Sequence, residues 1–74
     1  MNERIMIDPS IRHGKPVVRG TRVPVHRIIG SLAGGATRKE ICEEYDVVDA
    51  DVRAALEYAE ELVEAEEVFP LPAT

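Results

Sequence analysis

Residues 14–25, Gly-Lys-Pro-Val-Val-Arg-Gly-Thr-Arg-Val-Pro-Val, constrain the fold of this chain more than any other stretch. Two glycines, two prolines and three cations among four valines suit neither a plain helix nor a plain strand. Pro16 removes a backbone donor and fixes φ, so Val17 and Val18 can extend only as an edge or short strand. Gly20 takes a positive φ at little steric cost, which makes residues 19–21 a tight turn. Pro24 suits the first turn of a helix, where its missing N–H is not needed. Gly14, Pro16, Gly20 and Pro24 are therefore the structural turn positions, and they hold Lys15, Arg19 and Arg22 in a limited set of shapes. Such a stretch presents cations to an anionic partner. It equally describes a solvated connector with ordinary surface charges.

Around it the periodicity changes twice. Ile5-Met6-Ile7, closed by Asp8-Pro9, reads as a brief strand with Ile5 and Ile7 on one face, and residues 10–14 as a loop. Two strands this short need a helix beneath them or the same strands of a second chain, so pairing between chains is expected. From Pro24 onward Val25, Ile28, Ile29 and Leu32 form one helical stripe, ended by Gly34-Gly35 with a glycine in the left-handed position. Thr37-Arg38-Lys39-Glu40 is a capping box for a short second helix, Arg38–Tyr45, with Ile41, Cys42 and Tyr45 inward. Asp49 caps a third helix running to about Glu67, with Asp51 in its first turn. Val52, Ala55, Leu56, Ala59, Leu62 and Val63 supply that helix's apolar stripe. The expected architecture is mainly α: one domain over residues 1–74, with a β-arm and basic loop (1–23), a three-helix helix-turn-helix bundle (24–67) and an extended tail (68–74).

Seventy-four residues bury a marginal core, so burial against a partner is expected to help. With Tyr45, Tyr58 and Phe69 the only aromatics, that core must be aliphatic. Neither a signal-peptide pattern nor an apolar run of spanning length is present, and a cytoplasmic protein is expected. The single cysteine excludes an internal disulfide, and with His13 and His26 it gives no zinc pattern. Cys42 on an inward helical face reads as a buried structural thiol. Gly14-Lys15 and Gly20-Thr21 do not match the phosphate-binding Gly-x-x-x-x-Gly-Lys-Ser/Thr loop. The carboxylates of the third helix have no metal-loop spacing and read as a solvated face. No enzyme activity, metal or cofactor is expected.

Charge is the stronger clue. Residues 1–39 carry eight cations against Glu3 and Asp8, a net +6, whereas residues 40–74 carry twelve carboxylates against Arg53, a net −11. This asymmetry suggests a basic surface for nucleic acid and an acidic one for another partner, or two halves that attract each other. A conventional helix-turn-helix inserts its last helix into the major groove. Here that helix offers Arg53 beside Asp49, Asp51 and Glu57 and would be repelled by phosphates. The expected DNA-binding residues are instead Arg12, Lys15, Arg19, Thr21, Arg22, Arg27, Arg38 and Lys39. Glu57, Glu60, Glu61 and Glu64, followed by Phe69 and Leu71 between prolines, are the expected contacts for a protein partner. The tail reads equally as a frayed terminus or a strap on its own core.

Asp8-Pro9, the run from Gly14 to Val25, Ala33-Gly34-Gly35 and Ala54-Ala55-Leu56-Glu57-Tyr58-Ala59 together closely resemble the family catalogued as domain of unknown function 433. The resemblance covers residues 5–60, and Gly-Lys-Pro-x-x-x-Gly-Thr-Arg is highly specific to it. It implies a short β-arm joined to a homeodomain-like bundle, generally dimeric. It also implies an antitoxin that neutralises a PIN-like nuclease toxin encoded beside it and can bind its own operator DNA. The alternatives are a DNA-binding regulator with no toxin partner and a purely structural dimerisation module.

Overall fold

The computed structural model describes residues 2–66. Two strands, β1 (Ile5–Met6) and β2 (Val17–Val18), precede three helices, α1 (Val25–Ala33), α2 (Arg38–Tyr45) and α3 (Asp49–Ala65). The protein is mainly helical, with a short antiparallel hairpin at its N-terminal end. The strands pair within the chain, Ile5 opposite Val18 and Met6 opposite Val17. The other edge of β2 is also occupied. Val18 N–H donates to the Val23 carbonyl at 2.9 Å, Val25 N–H donates to that of Pro16 at 2.9 Å, and Val17 bridges to Pro24. Val17 and Val18 thus form the middle of a three-segment ribbon, and α3 packs against β1. That supplies the support two isolated strands lack; a second chain is not needed for their pairing.

Local chemistry explains the turns. Gly20, at φ +81°, occupies the third position of a turn in which Thr21 N–H donates to the Val18 carbonyl at 3.0 Å. The Thr21 hydroxyl donates to that same carbonyl and accepts from Val23 N–H. Pro24 stands one position earlier than expected, as the extended N-cap of α1 rather than in its first turn. Gly35, at φ +99°, is the left-handed residue that ends α1, with Ala36 N–H on the Ser31 carbonyl and Gly35 N–H on that of Leu32. These are the two bonds of a Schellman closure. α2 starts on the expected capping box: Thr37 Oγ1 accepts from Glu40 N–H at 3.1 Å and Glu40 Oε1 from Thr37 N–H at 2.8 Å. It ends on Asp46 at φ +54°, with Val47 N–H on the Cys42 carbonyl.

Three further expectations need correction. Val48, not Asp49, is the N-cap of α3; Asp51 Oδ2 accepts the Val48 N–H at 3.1 Å, so the carboxylate three positions on closes the cap. Ile7 does not share the face of Ile5. β1 stops at Met6, where the alternation ends, leaving Ile5 buried and Ile7 48% exposed. The stripe of α3 is buried only at its start. Val52, Ala54 and Ala55 join Ile5, Val17, Val18, Val25, Ile28, Ile41 and Val47 in the interior, whereas Leu62 and Val63 are 52% and 68% exposed. The core is wholly aliphatic. Partly buried Ile29, Leu32, Cys42, Tyr45 and Tyr58 pack around it.

Two measurements check this reading. Ile28→Ala and Ile41→Ala, which empty fully buried positions, should each cost about 2–5 kcal/mol in urea unfolding. Leu62→Ala should stay within about 0.5 kcal/mol. Equal losses at the three sites would contradict the placement of the core. Glu40, Asp8 and Asp49 are each held below the usual carboxylate range. The causes are the Thr37 backbone N–H for Glu40, the Ser10 hydroxyl and then its N–H for Asp8, and the Arg38 guanidinium for Asp49. Their folded pKa values lie under unfolded values of about 4. The stability they contribute is therefore present above that pH and lost as pH falls through the folded values. The thermal midpoint should drop below pH about 4. Glu40→Gln, whose amide oxygen still accepts from Thr37, should lose less in acid; a loss as large as that of the unaltered chain would contradict the assignment.

Candidate functional site

The basic loop is built on an unusual turn. Asp8 Oδ1 accepts from the Ser10 N–H and hydroxyl at 2.9 and 2.7 Å, closing an Asx turn. Arg12, His13 and Gly14 then all have positive φ, at +52°, +56° and +79°. Gly14 N–H donates to Ile11 and Lys15 N–H to Arg12, so one full turn winds left-handed. Consecutive left-handed residues are costly for L-amino acids because Cβ crowds the following carbonyl. Glycine relieves only the last position, and histidine tolerates the conformation better than most residues. The sequence signals were Asp8-Pro9-Ser10 and His13-Gly14; the extent of the turn was not legible from either.

Within this frame, two loop arginines are aimed by backbone acceptors. Arg12 Nε donates to the Arg22 carbonyl at 3.2 Å, and Arg19 Nε to the Glu3 carbonyl at 2.7 Å. Neither bond neutralises the guanidinium. Arg12, Arg22 and Arg27 line one surface depression together with Val23, Pro24 and Tyr45. Tyr45 is held there by a hydroxyl–hydroxyl contact of 3.2 Å with Ser31, which links α2 to α1. Lys15 lies apart, on the rim of an apolar groove that includes Pro16, Val25, Ile29, Tyr58 and Leu62. Thr21 is spent inside its turn, and Lys39 is exposed on α2.

Arg38 is differently placed from the rest. Its Nε and a terminal nitrogen donate to the two Asp49 oxygens at 2.7 and 3.0 Å, a bidentate clamp between the starts of α2 and α3. The Asp49 carboxylate pushes the already basic Arg38 higher. Arg4 pairs with Asp51 at 3.0 Å, and Asn2 Nδ2 donates to Glu57 Oε2 at 2.7 Å. Arg53 approaches Glu57 at 3.6 Å. The opposite-sign halves of the sequence do therefore meet inside one chain, and the N-terminal arm lies over the polar face of α3. Glu60, Glu61 and Glu64 are exposed farther along that helix. Phe69 and Leu71 lie outside the described residues. Sequence reasoning missed Arg4 and Asn2, because nothing local foretells which carboxylate a cation meets across the fold.

Among the described residues no group of three His, Cys, Asp or Glu side chains could hold a metal ion. No described helix is long and apolar enough to cross a membrane.

Comparison with known proteins agrees with this architecture. A crystal structure of a DUF433 member from Anabaena variabilis superposes with a TM-score of 0.78 at 31% identity, covering 85% of this chain and 63% of that one. The crystal structure of Rv2018 from Mycobacterium tuberculosis superposes with a TM-score of 0.65 at 35% identity, over 70% of this chain and 24% of that one. In sequence, the uncharacterised protein y4eO of Sinorhizobium fredii is 42% identical over 59 residues, which is 78% of this chain and 27% of the relative. A Mycobacterium tuberculosis protein named "Putative antitoxin VapB45" is 34% identical over 53 residues, 72% of this chain and 22% of the relative. The chain thus spans about a quarter of the length of these curated relatives. The family described as "Protein of unknown function (DUF433)" matches over residues 5–59, from the first strand into α3. The hairpin, the basic turn, α1, α2 and α3 as far as residue 59 fall inside that match, and the chain belongs to the DUF433 family.

Proposed function

We propose that the protein is an antitoxin-like regulator without enzymatic activity, which captures a PIN-like nuclease toxin and binds operator DNA as a cytoplasmic homodimer. The observation that carries this reading is the separation of charge on one small folded unit. Arg12, Arg22 and Arg27 line one depression without a carboxylate in its lining, and Arg12 and Arg19 are aimed by backbone carbonyls. The exposed carboxylates of α3 stand on another surface. An acidic helix suits a nuclease, whose substrate path must be positive to hold phosphates. Glu57, Glu60, Glu61 and Glu64 are the residues assigned to that contact, extended by Phe69 and Leu71. Arg12, Lys15, Arg19, Thr21, Arg22, Arg27, Arg38 and Lys39 are assigned to DNA, with Arg38 reaching phosphate only by sharing its guanidinium with Asp49.

Kinship supports the toxin half, since a relative bears an antitoxin's name. The cover of Asn2 and Arg4 over Asp51 and Glu57 supports reading DNA through the loop rather than through α3. Exposed Leu62 and Val63, beside the apolar groove between α1 and α3, favour self-association.

The two halves separate experimentally. Arg19→Glu with Arg22→Glu should weaken operator binding at least about tenfold at low ionic strength, with the difference shrinking as salt rises. The same variant should keep its hold on the toxin. Glu60→Lys with Glu64→Lys should do the reverse. DNA binding untouched by the first pair, or toxin capture untouched by the second, would overturn the corresponding half.

A further inference from the structure

We infer that Arg12, Arg22 and Arg27 form a seat for one backbone phosphate of duplex DNA. The inference rests on the DNA half of the function proposed above and gives it an address. Three separate elements contribute: the left-handed turn, the turn after β2 and the first turn of α1. They bring three arginines to the lining of one depression, and that lining includes no carboxylate. Arg4, Arg38 and Arg53 are all engaged by acids, whereas none of these three stands in an ion pair among the described residues. Arg12 spends one donor on the Arg22 carbonyl, which leaves its remaining N–H groups directed and unspent.

The occupant follows from the donor set. A carboxylate is satisfied by one guanidinium fork, while a tetrahedral oxyanion accepts from several directions at once. Val23 and Pro24 add apolar surface to the same lining. The depression is open and belongs to a loop that also carries Arg19, which suits a repeating phosphate backbone. The backbone strain at Arg12 and His13 fits the same purpose, because costly conformations concentrate where a ligand group must be held in place.

Arginine Nε–H resonances of the 15N-labelled full chain, titrated with inorganic phosphate and with a short duplex, test the seat. The duplex should move Arg12, Arg22 and Arg27 together. Arg27→Gln should lower the slope of log affinity against log salt by about 0.9, the share of one phosphate. Arg27→Lys should keep the slope while binding several-fold more weakly than arginine, because it retains the charge and loses the fork. Circular dichroism of both variants checks that this exposed position leaves the fold intact. A duplex that binds Arg27→Gln with unchanged affinity and slope, and leaves the three resonances in place, would overturn the seat while leaving DNA binding standing. Absence of duplex binding at low salt would overturn both. Movement with inorganic phosphate alone would overturn the polymer as ligand and identify a small phosphate as the occupant.

Discussion

Val17 and Val18 hold the molecule together because both edges of their backbone are occupied. β1 takes one edge and the segment leading into α1 takes the other, while both side chains lie fully inside. Each such side chain contributes about 1.5–3 kcal/mol by leaving water, a large share for a domain this small. The consequence is geometric as well as energetic. With β2 pinned on two sides, the Gly20 turn and the N-cap of α1 have one arrangement, and so do the arginines mounted on them. A charged loop of this composition would otherwise sample many shapes.

Much of the fold was legible because it is local. The bounds of α2 follow from a capping box at one end and an aspartate tolerant of positive φ at the other. The end of α1 follows from a glycine pair. What the sequence could not convey depends on which elements meet. Leu62 and Val63 continue a regular apolar stripe, yet the core reaches α3 only through residues near its start. The alternation of Ile5 and Ile7 is broken by a strand that ends after two residues. The cations were recognisable by type, but their fates were not. Arg38 and Arg4 are taken up by Asp49 and Asp51 across distances of 11 and 47 residues in sequence, whereas Arg12, Arg22 and Arg27 are gathered onto one surface.

Under the proposed function, DNA would be met by the loop rather than by the last helix. The last helix ordinarily meets the bases. In this chain it begins with two acids, each bonded to a cation of the same chain, and the N-terminal arm lies along its polar side. The conformationally constrained loop is the better-formed electrostatic surface. The curated relatives carry the same unit within much longer chains, over 27% and 22% of their lengths.

The most direct measurement is the mass of the purified chain by light scattering, alone and with the product of its neighbouring gene, alongside a nuclease assay of the mixture. The account predicts a homodimer that forms a stable complex with that product and silences its nuclease activity. A neighbour product that is an active nuclease, forms no complex and is not inhibited would contradict it.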